Sequence, residues 1–263
     1  MKVLPSLDAH AHINPSKKPE ELTESGAVLA MTLSLEEASF AVSRHDTQIA
    51  WGVGCHPRKL KAQRAFNAEQ FRKLAEQTAI VGEIGLDIGS HYAHASFETQ
   101  QKNFREALGI VADLPRIVSI HSYQATKLMI RELQRTPIAV PILHWWTGNV
   151  EETQKAVALG CYFSVHSAVA RHSKFRTTVP RERILLESDH GYADPPAAIP
   201  CRIEWVEHLV ANQLKLNVKD VRRLAWQNLA TMVHDTHTLE LLPKSFAAII
   251  KEVSNNSEYQ MHF

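Results

Sequence analysis

Cysteine is scarce in this chain of 263 residues, and its placement argues against two classes of protein. Cys55, Cys161 and Cys201 are widely spaced and form no Cys-x-x-Cys pair. Such spacing suits neither a disulfide framework nor a thiolate zinc site. We therefore expect a protein of a reducing compartment, the cytoplasm.

Long apolar runs and an excess of charge of one sign are also lacking. No apolar stretch approaches the roughly 20 residues of a membrane-spanning helix, and the opening residues, MKVLPSLDAH, do not resemble a signal peptide. Lys and Arg total 29 against 28 for Asp and Glu, a formal net charge of +1. We expect no membrane partner, and any attraction to nucleic acid must come from a local group of charges.

Short strand-like runs alternate with helical patterns along most of the chain. Eight such runs, each followed by a helix or loop, favour a parallel α/β fold, a TIM-like (β/α)8 barrel. Three further helical segments, at 201–213, 218–234 and 238–254, predict additional C-terminal helices, and no break in composition divides residues 1–263 into more than a single domain. The predicted strand runs are 3–10, 26–33, 49–54, 78–85, 116–122, 137–144, 160–166 and 183–189.

Histidine is abundant, with 15 residues against 5 Tyr and 9 Phe. Two of them stand at the end of the first strand-like run and just beyond it, in LDAHAH at 7–12. Alternation along a strand puts His10 and His12 on one face, a few ångströms apart. Two neutral imidazoles on one face are half of a metal site, although an isolated pair of this kind is also a common surface feature.

Polar side chains close or follow six of the predicted strands. In a barrel the chemistry lies at the carboxyl ends of the strands, so this placement predicts a metal centre. Imidazoles and carboxylates without thiolates suit Zn, Mn, Mg, Co or Ni. The predicted ligands are His10, His12, Glu83, His121, His144 and Asp189, and His56 follows the third strand.

Six ligands exceed the three or four protein ligands of one catalytic zinc, so the sequence predicts two divalent metal ions. Glu83 has two carboxylate oxygens and lies in the middle of the strand order, which makes it the expected bridge between the ions. Asp189 is the expected acceptor of the proton of an attacking water. Two ions about 3.5–4 Å apart are the arrangement that enzymes use on phosphodiesters.

Each of these residues also has a purely structural interpretation. His121 could be a core histidine capped by Ser122, His144 a packed imidazole beside two tryptophans, and Asp189 the cap of the loop that follows. Glu83 could be a buried carboxylate, but one without a partner is costly. A purely structural role for all four residues at once is much less expected than such a role for any one of them.

The motifs D-x-H-x-H, G-x-H-P, G-E-I-G-L-D, I-H-S, H-x-x-x-G and E-S-D occur in this order. The series resembles the TatD family of metal-dependent deoxyribonucleases, a branch of the amidohydrolase-like barrels. The resemblance runs from about Leu7 to Asn228, and VGEIGLD at 81–87 is its most specific part.

The resemblance implies hydrolysis of DNA phosphodiester bonds, with a 3′-to-5′ exonuclease preference and activity on some RNA. The expected partner is DNA, as single strands or frayed ends. One metal would be held by His10, His12, Glu83 and Asp189, and the second by Glu83, His121 and His144. His56 would lie near the scissile phosphate, while Asp87 and Asn228 would have supporting or structural roles.

The loops that would contact substrate depart from the family pattern. ESDHGY replaces the usual ETDAPY, IGSHYAH replaces an aromatic and arginine segment, and IHSYQA lacks the arginine of the usual I-H-x-R. Arg58, Lys59 and Lys61 are the remaining candidates for phosphate contacts, or else part of a solvated loop. Metal-dependent hydrolysis is therefore better supported than any one substrate.

Two other hypotheses remain open. An amide or ester hydrolase (deacylase) could use the same barrel, although a carboxylated lysine usually bridges the metals there from the fourth strand, where this chain has Glu83. The chain could also be a metal-binding, nucleic-acid-interacting subunit, since TatD-like proteins occur in multi-gene anti-phage defence systems. That role would imply protein partners.

Overall fold

Eight short parallel strands form the centre of the computed structural model, which describes residues 3–22, 26–89, 95–170, 178–191 and 202–255. The strands are almost entirely buried, as expected for a parallel sheet that helices cover. They are β1 (Leu7–Ala11), β2 (Ala27–Met31), β3 (Ile49–Val53), β4 (Ile80–Gly85), β5 (Ile117–His121), β6 (Val140–His144), β7 (Tyr162–Val165) and β8 (Ile184–Leu186).

The sheet closes on itself. Each strand pairs in parallel with the next in sequence order from β1 to β8. The segment after β8 then pairs with β1: the Asp189 amide donates to the His10 carbonyl at 3.0 Å, and the His12 amide donates to the His190 carbonyl at 2.6 Å. The predicted (β/α)8 barrel is confirmed, and closure brings the ends of its first and last strands into contact.

Helices connect the strands on the outside of the barrel and continue beyond β8. Among the described residues they are α1 (Leu35–Ala41), α2 (Leu60–Arg64), α3 (Ala68–Ala75), α4 (Phe97–Asp113), α5 (Thr126–Arg135), α6 (Val150–Ala158), α7 (Ser167–Ala170), α8 (Glu204–Leu214), α9 (Val218–Thr236) and α10 (Lys244–Asn255). Side-chain caps fix several starts; for example, Asn149 and Glu152 form a reciprocal capping box on α6. The pattern LEEASFAVSRH favours a helix over 35–45, but α1 ends at Ala41.

The C-terminal helices pack on the barrel. Helical spacing puts five apolar side chains near one face of α9, and all of them are buried: Val221, Leu224, Ala225, Leu229 and Met232. Trp226 on the same helix is fully buried, and its indole N–H donates to the Pro5 carbonyl at 2.9 Å. Helix α9 therefore packs against the segment that leads into β1.

Some expectations fall on residues that the structure does not describe. The proline-rich loop at 192–200, the histidines His91, His94 and His172, and residues 256–263 lie outside the described ranges. Within those ranges, no helix has the length and apolar character needed to cross a bilayer. Cys55 and Cys161 are buried and form no disulfide. Single-domain organisation stays a prediction.

Asn228 on α9 is expected to stabilise the barrel rather than to take part in chemistry at the strand ends. Its buried side-chain amide donates to the carbonyls of Arg181 and Ile184, at 2.9 and 2.8 Å, where β8 begins. Asn228→Ala leaves these acceptors without their donor, so the free energy of unfolding should fall by about 1–3 kcal/mol in urea titrations. Thr231→Ala, which removes an exposed hydroxyl from the same helix, is the matched control; equal losses in both variants would contradict the assignment.

Candidate metal centre

All the predicted ligands meet at one end of the barrel. His121 and His144 are the last residues of β5 and β6, His10 and Glu83 lie within β1 and β4, and Asp189 lies beyond β8. Each comes from the carboxyl end of its strand, so closure of the barrel brings together residues that are far apart in sequence. Their side chains are buried or nearly so, with exposed fractions between 0 and 12%.

The carboxylate of Glu83 is the centre of the group. Its Oε1 lies 2.6 Å from His121 Nδ1 and 2.7 Å from His144 Nε2. Its Oε2 faces three further imidazoles, with Nε2 atoms at 3.1 Å (His56), 3.2 Å (His12) and 3.6 Å (His10). Five imidazoles thus surround one buried carboxylate. Oε1 is close to two of them, and Oε2 faces the other three.

The donor atoms of His10, His12 and Asp189 are spaced as ligands of one ion would be. His10 Nε2 and His12 Nε2 are 3.4 Å apart, and Asp189 Oδ1 lies 3.8 and 3.6 Å from them. Ligands bound tetrahedrally at about 2.1 Å from an ion lie roughly 3.4 Å from one another. In addition, Glu83 Oε2 and Asp189 Oδ1 are buried without a well-aligned hydrogen bond among the described residues. The donor set therefore fits a divalent cation.

Outer contacts orient the imidazoles toward this point. Ser119 Oγ lies 2.8 Å from His10 Nδ1, the Met31 carbonyl lies 3.1 Å from His12 Nδ1, and Asp87 Oδ2 lies 2.9 Å from His121 Nε2. Because a carbonyl can only accept, His12 Nδ1 donates in that contact, and Nε2 is the nitrogen that faces Glu83 and Asp189. Such contacts to the second ring nitrogen are typical of metal-binding histidines.

Two glycines allow the backbone to bring these side chains together. A Cβ on Gly54, after β3, would lie 2.4 Å from the Glu83 amide nitrogen and 2.1 Å from the Thr32 carbonyl oxygen. Gly85, with φ +148°, has a similarly close approach to the His121 carbonyl oxygen, 2.1 Å from where its Cβ would be. Any larger residue at either position would push β4 away from its neighbours and displace Glu83.

Burial and the crowding of charges shift the protonation of the site. Burial raises the pKa of Glu83, but His56, His144 and His121 outweigh it and hold that pKa well below its usual value. Burial raises the pKa of Asp189 to about 7, against the opposing effect of His144 and His12. Burial lowers the pKa of His56 to about 4, against the opposing effect of Glu83. The ion-free site therefore combines an ionised Glu83 with an Asp189 that titrates near neutrality.

The two predicted substrate contacts lie beside the ligands, but the other predicted cations do not. His56 and Arg58 line a pocket of about 290 Å³ whose floor includes Glu83, His121, His144 and Asp189. His56 is only 1% exposed, and its Nε2 lies 3.1 Å from Glu83 Oε2, so it contacts the central carboxylate as well as the pocket. Lys59 and Lys61 line a different cleft, beside α1.

Two buried carboxylates at the site have no assigned role in the sequence prediction. Asp8 accepts hydrogen bonds from the amide and the hydroxyl of Ser188, at 3.0 and 2.5 Å, and so joins β1 to the segment before Asp189. Glu187 accepts from the Ser164 hydroxyl, and its Oε1 lies 3.6 Å from His144 Nδ1. Each lies two residues before a predicted ligand, and strand alternation was the signal that could have revealed both.

Comparison with known proteins agrees with this geometry. A family model described as TatD related DNase matches residues 7–234. The chain belongs to this family. The resemblance identified from the motifs is thus confirmed, and the matched region contains every predicted ligand.

Individual TatD relatives share modest identity with the chain. The 3′-5′ ssDNA/RNA exonuclease TatD of Escherichia coli K12 is 30% identical over 158 residues, which are 56% of this chain and 60% of the relative. The uncharacterized metal-dependent hydrolase YcfH of the same strain is 26% identical over 201 residues, 71% of this chain and 74% of the relative. The chain thus spans less than two thirds of the length of the exonuclease.

A solved TatD structure supports the fold. The crystal structure of YjjV, a TatD homologue from Escherichia coli K12, superposes with a TM-score of 0.73 at 20% identity. The match covers 88% of this chain and 98% of that chain. At this identity the likeness supports the barrel architecture and carries no residue roles.

Metal affinity is expected to fall as the pH falls through neutrality. The ion-free site holds a proton on Asp189 below its pKa of about 7, and a metal ion must displace that proton to reach the carboxylate. Nearby carboxylates also raise the pKa of His12, His121 and His144, although burial alone would lower it. Protons on these imidazoles also compete with a metal ion at lower pH. From about pH 8 to about pH 6 the affinity for Mn²⁺ should fall about tenfold from Asp189 alone.

Calorimetric titrations of metal-free protein at the two pH values measure this loss, and buffers of different ionisation enthalpy count the protons released. Asp189→Asn should release fewer protons near pH 7 than the parent does. An affinity that stays constant between the two pH values would contradict the assignment of Asp189 as a ligand.

Proposed function

We propose that the chain is a divalent-metal-dependent hydrolase of DNA phosphodiester bonds, acting as a 3′-to-5′ exonuclease on single strands or frayed ends. One observation carries the proposal: the buried Glu83 carboxylate lies between five imidazoles and beside Asp189, within a pocket open to substrate. The choice of substrate is supported by the relative from Escherichia coli K12, which is named as a 3′-5′ exonuclease of single-stranded DNA and RNA.

Two divalent ions would be shared around Glu83. His10, His12, Glu83 and Asp189 would hold one, and Glu83, His121 and His144 the other, with Zn, Mn, Mg, Co and Ni all compatible with this donor set. When bound, such a pair lowers the pKa of water and stabilises the attacking and leaving oxygens of a displacement. The described part of the chain supplies the orienting contacts of Ser119, the Met31 carbonyl and Asp87.

The protein groups have separate roles in the proposed reaction. Asp189 lines the pocket and accepts the proton of the attacking water, a task suited to a carboxyl that titrates near neutrality. His56 donates a hydrogen bond to a phosphate oxygen. Arg58, which lines the same pocket with its Nε 3.7 Å from Asp87 Oδ2, supplies positive charge to the phosphate.

The deacylase hypothesis has no comparable support from a specific contact. Strand β4 carries Glu83, and its sequence IVGEIG contains no lysine that could be carboxylated to bridge the metals. A phosphodiester substrate therefore remains the better match to the site.

Metal content is the first test of the proposal. Protein purified without chelators should bind up to two divalent ions, and His144→Ala should lower this number because it removes one ligand of the second ion. Elemental analysis of the dialysed protein gives the ratio. His234→Ala, at an imidazole whose side chain is 83% exposed, should leave the ratio unchanged; a parent that takes up no metal on titration would contradict the proposal.

Asp189→Asn should lower turnover far more than folding or binding. The change preserves size but deletes a ligand charge and the proton acceptor, and general-base assistance alone contributes about 10²–10⁴-fold. Activity on end-labelled single-stranded DNA should therefore fall at least about a hundredfold, while melting and oligonucleotide binding stay close to those of the parent.

The matched control is Asp113→Asn, at a carboxylate whose side chain is 76% exposed on α4. Its activity should equal that of the parent. If Asp189→Asn hydrolysed DNA as fast as the parent, Asp189 would be a loop cap only. If the parent hydrolysed esters or amides but no phosphodiester with any of the metals, the deacylase hypothesis would replace the nuclease.

A further inference from the structure

Aromatic and apolar side chains form the rim of the pocket above the predicted ligands. Tyr123 follows β5 and Trp145 follows β6, so one aromatic side chain stands just beyond each of His121 and His144. Tyr123 is 47% exposed, and Ile88, whose amide donates to the Tyr123 carbonyl at 3.3 Å, is 48% exposed. Contiguous exposed apolar side chains, unlike scattered single ones, mark ligand-binding grooves or interfaces.

Trp145 is held in place at a conformational cost. Its φ of +42° lies in the left-handed region, which is unfavourable for a bulky residue with a Cβ. Its ring stacks on His166, after β7, with centroids 3.9 Å apart and an interplanar angle of 29°. Backbone strain of this kind is concentrated at functional sites, where the surrounding structure maintains it.

The position of Trp145 also places it between two cavities. It lines the 290 Å³ pocket over the ligands and a neighbouring cavity of about 500 Å³ that Trp146, Val165 and Val169 help to form. The smaller pocket is at the lower limit of small-ligand sites. It therefore suits one unit of a chain rather than a paired duplex.

Cations are few on this rim. Arg58 is the cationic side chain among the described residues that line the pocket, and the chain as a whole has a net charge of +1. Charge alone therefore supplies little affinity for a polyanion. Stacking of bases on aromatic rings is the other general source of affinity for single strands, and it requires unpaired bases.

We infer that Trp145, with Tyr123 in the same pocket lining, is a nucleobase-stacking site that selects single-stranded ends. The base of the terminal nucleotide stacks on the indole while its phosphate lies over the ligands. The inference rests on the proposed function, because it places the base relative to the site of hydrolysis. It assigns substrate preference to an aromatic face rather than to a cluster of cations.

The test compares two single-stranded oligonucleotides that differ only at the 3′-terminal nucleotide, which carries a base in one and is abasic in the other. The parent should prefer the first by about 5- to 150-fold in KM, the range that one stacked base provides. Trp145→Leu should reduce the preference to about twofold or less, since it retains apolar contact but removes the ring. Trp145→Phe should retain most of it.

Trp205→Leu is the matched control, because Trp205 is 60% exposed on α8 and lines neither cavity. It should keep the parent's preference. An unchanged preference in Trp145→Leu, or a parent that treats both oligonucleotides alike, would overturn the inference while leaving the nuclease proposal intact. If Trp145→Leu failed to fold, Trp145→Met would replace it, since methionine is also apolar and has no ring; an unchanged preference in a folded Trp145→Met variant would overturn the inference.

Equilibrium binding separates failure of the inference from failure of the proposed function. If the parent hydrolyses neither oligonucleotide, fluorescence anisotropy with the same two probes still measures the base preference. A preference that disappears in Trp145→Leu supports the stacking site even without hydrolysis. Equal affinity for both probes in the parent would refute it.

Discussion

The ionised carboxylate of Glu83, buried at the centre of the barrel mouth, is the constraint on which the rest of the site depends. An unpaired buried carboxylate is costly, and here it is compensated by five imidazoles whose nitrogens lie 2.6–3.6 Å away. No single strand could supply them. Only a closed barrel brings side chains from β1, β5, β6 and the loop after β3 to the same carboxylate.

The two oxygens of Glu83 make the site asymmetric. Oε1 lies within hydrogen-bond distance of His121 and His144. On the other side, the distances that join His10, His12, Asp189 and Oε2 are longer. Without an ion, the first side is held by its own contacts and the second is left with buried oxygens that lack well-aligned donors. The second side therefore gains more from a cation, because Glu83 Oε2 and Asp189 Oδ1 have no well-aligned hydrogen bond among the described residues.

Strand periodicity and strand ends were sufficient to predict the barrel and the side chains that meet at its mouth. They could not predict the contacts that orient the ligands. Ser119 reaches His10 across 109 positions of sequence, and this contact follows from barrel closure rather than from any local pattern. The positions of Lys59 and Lys61 could not be predicted either. Their closeness in sequence to Arg58 suggested one basic group, but at the start of α2 the chain turns, and both lysines line a separate cleft.

Substrate preference is the property least determined by the ligand set, since a barrel fold hosts many chemistries. The loops after β5 and β6 surround the ligands, and there the chain has IHSYQA and HWWTG rather than an additional arginine. Replacing a cation by aromatic rings exchanges a long-range attraction for any polyanion for a short-range one that needs an exposed base. Duplex DNA keeps its bases stacked internally, so the inferred stacking site gains this short-range attraction only from an unpaired end.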